Sequence, residues 1–180
     1  HDDFHYYHFP YSYYLTQFPS LVGIGQFNHG FRTPSSIFYL NSLFYLPVIK
    51  FYTFYVSAVL ILVFSNLILL TKILERFKNN NTNYTSYLCL LFLLFINIFF
   101  YRIQEHGTDR SAQILILILF LYLVEFINFE RDFEKNLIKL FVLMGLIISL
   151  KALYLQYLII SLAIIYILIK EKKTFLIIDT

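Results

Sequence analysis

From Phe51 to Thr71 the chain reads FYTFYVSAVLILVFSNLILLT, a run without a charged residue. As a helix rising about 1.5 Å per residue it extends about 31 Å, enough to cross the hydrocarbon core of a bilayer. Thr85–Tyr101 is a second uncharged run, and Ser111–Phe129 a third, interrupted by Glu125. The ILILIL stretch in the third run carries no strand signature, because both alternate positions are apolar; its length without turn residues favours a helix. The chain is 59% apolar, 21% aromatic and 14% charged, with a mean hydropathy of +0.67. Soluble domains average about 45–50% apolar and about 25% charged. Fourteen basic and eleven acidic residues, mostly in short clusters, cannot solvate a 21.6 kDa surface. A soluble globular enzyme and a disordered polar chain are therefore excluded, and a polytopic membrane protein is expected. The net charge of +3 is too small and dispersed for a nucleic-acid binder. Cys89 stands alone in an apolar run, which leaves neither a disulfide framework nor a cysteine metal site.

Residues 136–169 pose a length problem. As one helix they would run about 51 Å, against a core of about 30 Å. A break near Ser149–Lys151 divides them into two short helices and gives about five spans in an all-α transmembrane bundle. Loop charge agrees with that parity. Lys72, Arg76, Lys78, Arg131, Lys135, Lys139, Lys170, Lys172 and Lys173 then share one side, and Arg32, Lys50, Arg102, Arg110 and Lys151 the other. The richer side is expected to be cytoplasmic. Glu125 lies near the inner end of its span and close to Arg131 in sequence, so it is expected to snorkel to the interface.

Residues 1–50 cannot form a span. Pro10, Pro19, Pro34 and Pro47, with Gly23, Gly25 and Gly30, interrupt any long helix. Eighteen of the 37 aromatic residues fall within residues 1–55, a density suited to an interfacial layer. Ser35 or Ser36 is expected to cap a short helix running through Leu46, lying in the membrane plane on Ile37, Leu40, Leu43 and Phe44. The expected organisation is thus a first outer segment of interfacial helices (residues 1–50) followed by the helix bundle (residues 51–180). The charged start, without Met or signal peptide, and the apolar FLIIDT end suggest a piece of a larger membrane protein lacking its first transmembrane helix.

The topology places the polar chemistry on one face. His1, His5, His8, His29 and His106 all fall outside, as do Asp2, Asp3, Glu105 and Asp109. The segment Arg102–Gln113 carries five ionisable side chains in nine positions, far more than a connector needs. It reads either as a solvated loop with local ion pairs or as half of a polar site completed by the first segment. His and Asp near the N-terminus admit a transition metal, and Asp with a phosphate admits a hard divalent cation, but no dedicated metal ligand set is identified.

The acidic pair Asp2-Asp3 opening a long outer loop, followed by Tyr6-Tyr7-His8, resembles the C-type polyprenyl-phosphate-dependent membrane glycosyltransferases. The protein mannosyltransferase and aminoarabinose transferase branch is the nearest comparison. The resemblance implies a membrane lipid as partner, a polyprenyl-phosphate sugar donor and a catalytic base, Asp3 or Asp2. It implies a binding face drawn from His5, His8, Arg32, Arg102, Glu105, His106, Asp109 and Arg110, and a bacterial plasma-membrane protein with its site outside. The acid would take the proton of the acceptor hydroxyl, and arginine would grip the departing phosphate. A structural or accessory multipass protein and a transporter module are the alternatives. Spans without proline and almost without charge speak against transport.

Overall fold

Ser35 organises the first packing contacts of the chain. In the computed structural model, which describes residues 4–32, 35–79, 84–100, 108–128 and 133–170, the Ile37 N–H donates to the Ser35 hydroxyl at 3.3 Å and caps α2 (Ser36–Leu43). Ahead of it, a π-helical turn (Phe4–His8) leads into α1 (Phe9–Gln17), where Pro10 occupies the first turn at no hydrogen-bonding cost. Then come α3 (Val56–Lys78), α4 (Tyr84–Phe99), α5 (Thr108–Ile127), α6 (Phe133–Leu150) and α7 (Ile159–Lys170). Among the described residues every regular element is helical. Two helical stretches, Phe51–Lys78 and Asp109–Ile127, are long and apolar enough to cross a membrane; Tyr84–Phe99 and Ala152–Ile167 are apolar but shorter.

The chain leaves helical geometry at Lys151 (φ −153°, ψ 119°) and resumes as a 3-10 turn over Ala152–Leu158. The long apolar run after Asn136 is therefore two helices, although neither proline nor glycine marks the junction.

α5 forms the centre of the bundle, packed against α3, α4 and α6. Its apolar residues surround the whole circumference, with Ile114, Ile118, Leu119 and Leu121 fully buried. An apolar helix of this kind needs neighbours on every side. α3 instead presents one stripe to the bundle (Ser57, Ala58, Ser65, Leu69 and Ile73) and exposes Phe64, Leu67 and Leu74. Small residues in that stripe let the helices approach closely. On the outer side, Asn66 and Asn97 pair through their amides, linking α3 to α4 at 2.8 Å. Cys89 is fully buried in the core.

Two expectations are corrected. α2 stops at Leu43 rather than Leu46, and it buries Ile37, Phe38 and Asn41 while Leu43 is 76% exposed. The stripe is rotated because Phe38 fills the space between rings of the first segment. Asn41, fully buried, meets the Ser57 hydroxyl and donates to the Phe54 carbonyl at 2.7 Å. A buried amide so satisfied costs little, and an aromatic ring buries more area than a leucine.

Glu125 is also placed differently. It is 3% exposed, and the Lys72 ammonium donates to both carboxylate oxygens at 2.6 Å, with the Arg76 guanidinium at 3.5 Å. It does not reach for solvent: it ties α5 to α3. Lys72 and Arg76 lie one helical turn apart, on the stripe that faces α5, so both cations converge on one carboxylate.

Candidate functional site

The sequence NHGFRTPSS has a structural account. The Asn28 amide donates to the Tyr6 carbonyl at 3.3 Å, and its oxygen accepts the Gly30 N–H at 2.9 Å. Gly30 admits the Tyr7 ring: a β-carbon there would lie 2.2 Å from it. Phe31 and Phe38 then close on Tyr11, with ring centres 5.9 and 5.2 Å apart. The tyrosine hydroxyl faces that of Tyr39 at 3.5 Å, and burial, with this contact, pushes its pKa up to about 12. Rings expected to meet lipid thus partly form a core of their own.

That folded segment docks on one end of the bundle. The Ser35 hydroxyl donates to the Leu150 carbonyl, and the Ser36 and Ser149 hydroxyls meet at 3.1 Å. The next residue, Lys151, pairs with Asp109 in the first turn of α5. The end of α6 therefore brings the first segment and the start of α5 to one place.

Beside this junction is a cavity of about 350 Å³ between α4, α5 and the 3-10 turn, lined mainly by Phe95, Phe100, Ile116, Leu117 and Tyr157. Its polar groups are Gln113 and Tyr154, whose amide and hydroxyl are within hydrogen-bonding reach. Tyr154 is also close enough to Asp109 and Lys151 to feel both charges. An apolar aromatic chamber with a charged pair at its polar end can take a ligand with an apolar body and an anionic head.

The expected site residues divide. Asp109 pairs with Lys151, and Arg110, the next residue of α5, is half-buried. His5 is exposed, whereas His8 is 8% exposed, with its ring 4.4 Å from that of Tyr7 and 5.4 Å from that of Phe38. His8 is part of the first segment's own core. Arg32 is exposed, and its Nε donates to the Gly25 carbonyl at 3.1 Å. Asp2, Asp3, Arg102, Glu105 and His106 lie outside the described residues. Among the described residues no group of three or more His, Cys, Asp or Glu assembles to hold a metal ion. Lys151, Gln113 and Tyr154 were not singled out as site residues. Lys151 carried a signal, being the lone charge between Lys139 and Lys170, and Gln113 closed the polar Arg102–Gln113 segment; Tyr154 carried none.

No curated protein and no solved structure matches the chain. The family model described as Domain of unknown function (DUF8201) matches residues 1–179, and the chain belongs to that family.

Proposed function

We propose that the chain is the membrane-embedded part of a glycosyltransferase that moves a sugar from a polyprenyl-phosphate donor to an acceptor hydroxyl. One observation carries the reading: Tyr154, in the wall of the aromatic cavity between α4 and α5, is close to the Lys151–Asp109 pair, and Arg110 follows Asp109 in the first turn of α5. An isoprenoid chain needs apolar walls, and its phosphate needs a cation at the end of them. Arg110 offers a planar fork for phosphate oxygens, and Asp109 holds Lys151 in position. The acceptor hydroxyl attacks the anomeric carbon, its proton passes to Asp3 or Asp2, and the bond to the lipid phosphate breaks. The phosphate leaves as an anion, so no acid is required to protonate it.

In this reading α3, α4, α5, α6 and residues 152–170 cross the membrane. The last of these combines about 14 Å of 3-10 helix with about 18 Å of α-helix, sufficient for a core of about 30 Å. The cavity end faces outward, because the other end carries more lysine and arginine. The first segment lies across the outer end.

The test is capture of a polyprenyl phosphate bearing a photoreactive group near its phosphate, using the chain in nanodiscs, with crosslinks mapped by peptide mass spectrometry. Crosslinks should concentrate on residues 95–100, 113–117 and 154–157, and Leu117→Trp, which fills the cavity, should suppress them. Capture spread along the exposed face of α3, or unchanged by Leu117→Trp, would overturn the assignment. Transfer of a labelled sugar from the same donor then tests the chemistry.

A further inference from the structure

Just ahead of α3 the chain makes a loop that belongs neither to the cavity nor to the core of the first segment. Leu46, Pro47, Val48 and Ile49 are all exposed, Val48 at 91%. The loop is closed at its base. The Lys50 N–H donates to the Leu46 carbonyl at 2.6 Å, and the Thr53 hydroxyl donates to the Phe44 carbonyl. Behind it, Phe54 is fully buried against Phe9 and Tyr45, and Phe51 meets the Phe9 ring at 5.1 Å. Both ends are thus fixed to the first segment, and so short a tip cannot fold back to bury itself.

Lys50 has φ 57° and ψ −129°, the one non-glycine residue of positive φ among the described residues. A β-carbon disfavours this region, and the conformation persists where surrounding contacts impose it. The turn brings the chain back to Leu46 and leaves Pro47, Val48 and Ile49 outside it.

The depth of the loop says what those residues meet. Lys72 is the first charged residue of α3. About 20 helical residues, or about 30 Å, cross a bilayer core. Counted back from Lys72, the outer edge of the hydrocarbon falls near Tyr52, beside the loop. Tyr52 and Tyr55 are exposed there, as tyrosines of a membrane interface are. From Phe4 to Leu74 the sequence contains no aspartate or glutamate, so no carboxylate of this stretch repels headgroup phosphates. Lys50 is exposed and carries its ammonium toward them on an apolar stem.

We infer that the Leu46–Lys50 loop dips into the outer leaflet of the membrane, with Val48 and Ile49 among the acyl chains and Lys50 at the headgroups. It takes over the contact expected of α2, whose Ile37 and Phe38 are turned inward. The loop pins the first segment to the bilayer beside the start of α3. The inference rests on the membrane-spanning reading proposed above, but not on glycosyl transfer.

The chain contains no tryptophan, so a single introduced one reports its own depth. Val48→Trp and Phe64→Trp, each in phosphatidylcholine nanodiscs, are compared by fluorescence quenching with lipids brominated near the top or near the end of their acyl chains. Phe64, exposed on α3, lies about 18 Å along the helix from Tyr52, near the bilayer midplane. Deep bromines should therefore quench Phe64→Trp the more. Shallow bromines should quench Val48→Trp at least about twofold more than deep ones, and aqueous iodide should quench it little. Ile49→Trp should give the same pattern as Val48→Trp. Strong iodide quenching of Val48→Trp without bromine quenching would place the loop in water. Protection from both quenchers would mean that protein covers it, a second copy of the chain included. Either result, with Phe64→Trp quenched by bromine, would overturn the inference. Absence of bromine quenching at Phe64→Trp would overturn the membrane reading itself, and the inference with it.

Discussion

Two lysine–carboxylate pairs fasten α5 to its neighbours, one near each end, and they have opposite characters. At the start of the helix, Asp109 meets Lys151 with side chains 50% and 35% exposed. Near its end, Glu125 meets Lys72 with side chains 4% and 18% exposed. An exposed pair gains little, because water screens it and holding two side chains costs entropy. A buried pair is different: neither charge tolerates loss of the other once both are out of water. The Asp109 pair is therefore able to open for a ligand, whereas the Glu125 pair fixes the registry of α3 against α5.

The largest expected effect is at the buried end. Glu125→Gln takes from the mostly buried Lys72 the carboxylate to which it donates and should cost about 3–5 kcal/mol, measured as a shift in denaturant midpoint in detergent. Adding Lys72→Met should recover part of that loss. A Glu125→Gln penalty no larger than that of Asp109→Asn would break the comparison.

Between the two extremes lies the segment that docks on the end of α6. Gly30→Ala forces a methyl into the Tyr7 ring and should destabilise by about 1–3 kcal/mol; a Gly30→Ala/Tyr7→Ala double variant, in which the clash is gone, separates overpacking from any other cause. Ser35→Ala removes both the cap of α2 and the bond to Leu150, and should cost about 1 kcal/mol. Limited proteolysis should then cut the first segment sooner while the bundle stays intact. Cutting at equal rates in both regions would show that the segment and bundle unfold together.

The smallest effect on stability should be Asp109→Asn, within about 1 kcal/mol of wild type. The same variant sharpens the contrast, because freeing Lys151 should alter capture of the polyprenyl-phosphate probe far more than it alters the midpoint. A stability loss matching that of Glu125→Gln, with capture unchanged, would make the pair a strut rather than part of a binding site.

The sequence made helices unavoidable. Runs such as Phe51–Thr71 have no turn residues and no charge, and helix formation satisfies every backbone group inside them without outside help. The break near Ser149–Lys151 could be inferred too, from length and from the parity of loop charge. Proline and glycine placement likewise marked residues 1–50 as a set of short pieces. The NHG stretch stood out, but its reason did not: Gly30 is needed because Tyr7, 23 positions earlier, occupies the place of its side chain.

Partner choice was another matter. Glu125 lies near Arg131 in sequence, and snorkelling was the sequence-based expectation; folding instead turned it inward to Lys72, 53 positions away. α2 showed a stripe of Ile37, Leu40, Leu43 and Phe44, yet it buries Phe38 and Asn41 beside Ile37, because Ser57 and the rings of α1 wait there. The cavity beside Tyr154 was equally hidden, since its walls come from three separate elements. Apolar periodicity and loop charge are local quantities, summed along the chain, so they determine which segments become helices and where those end. Which side of each helix is buried, and which charge meets which, depends on contacts between distant segments whose energies exist only after the helices have packed. For this protein the sequence by itself determined the helices, and tertiary structure alone decided that one end of α5 would hold a charge pair open and the other would lock it shut.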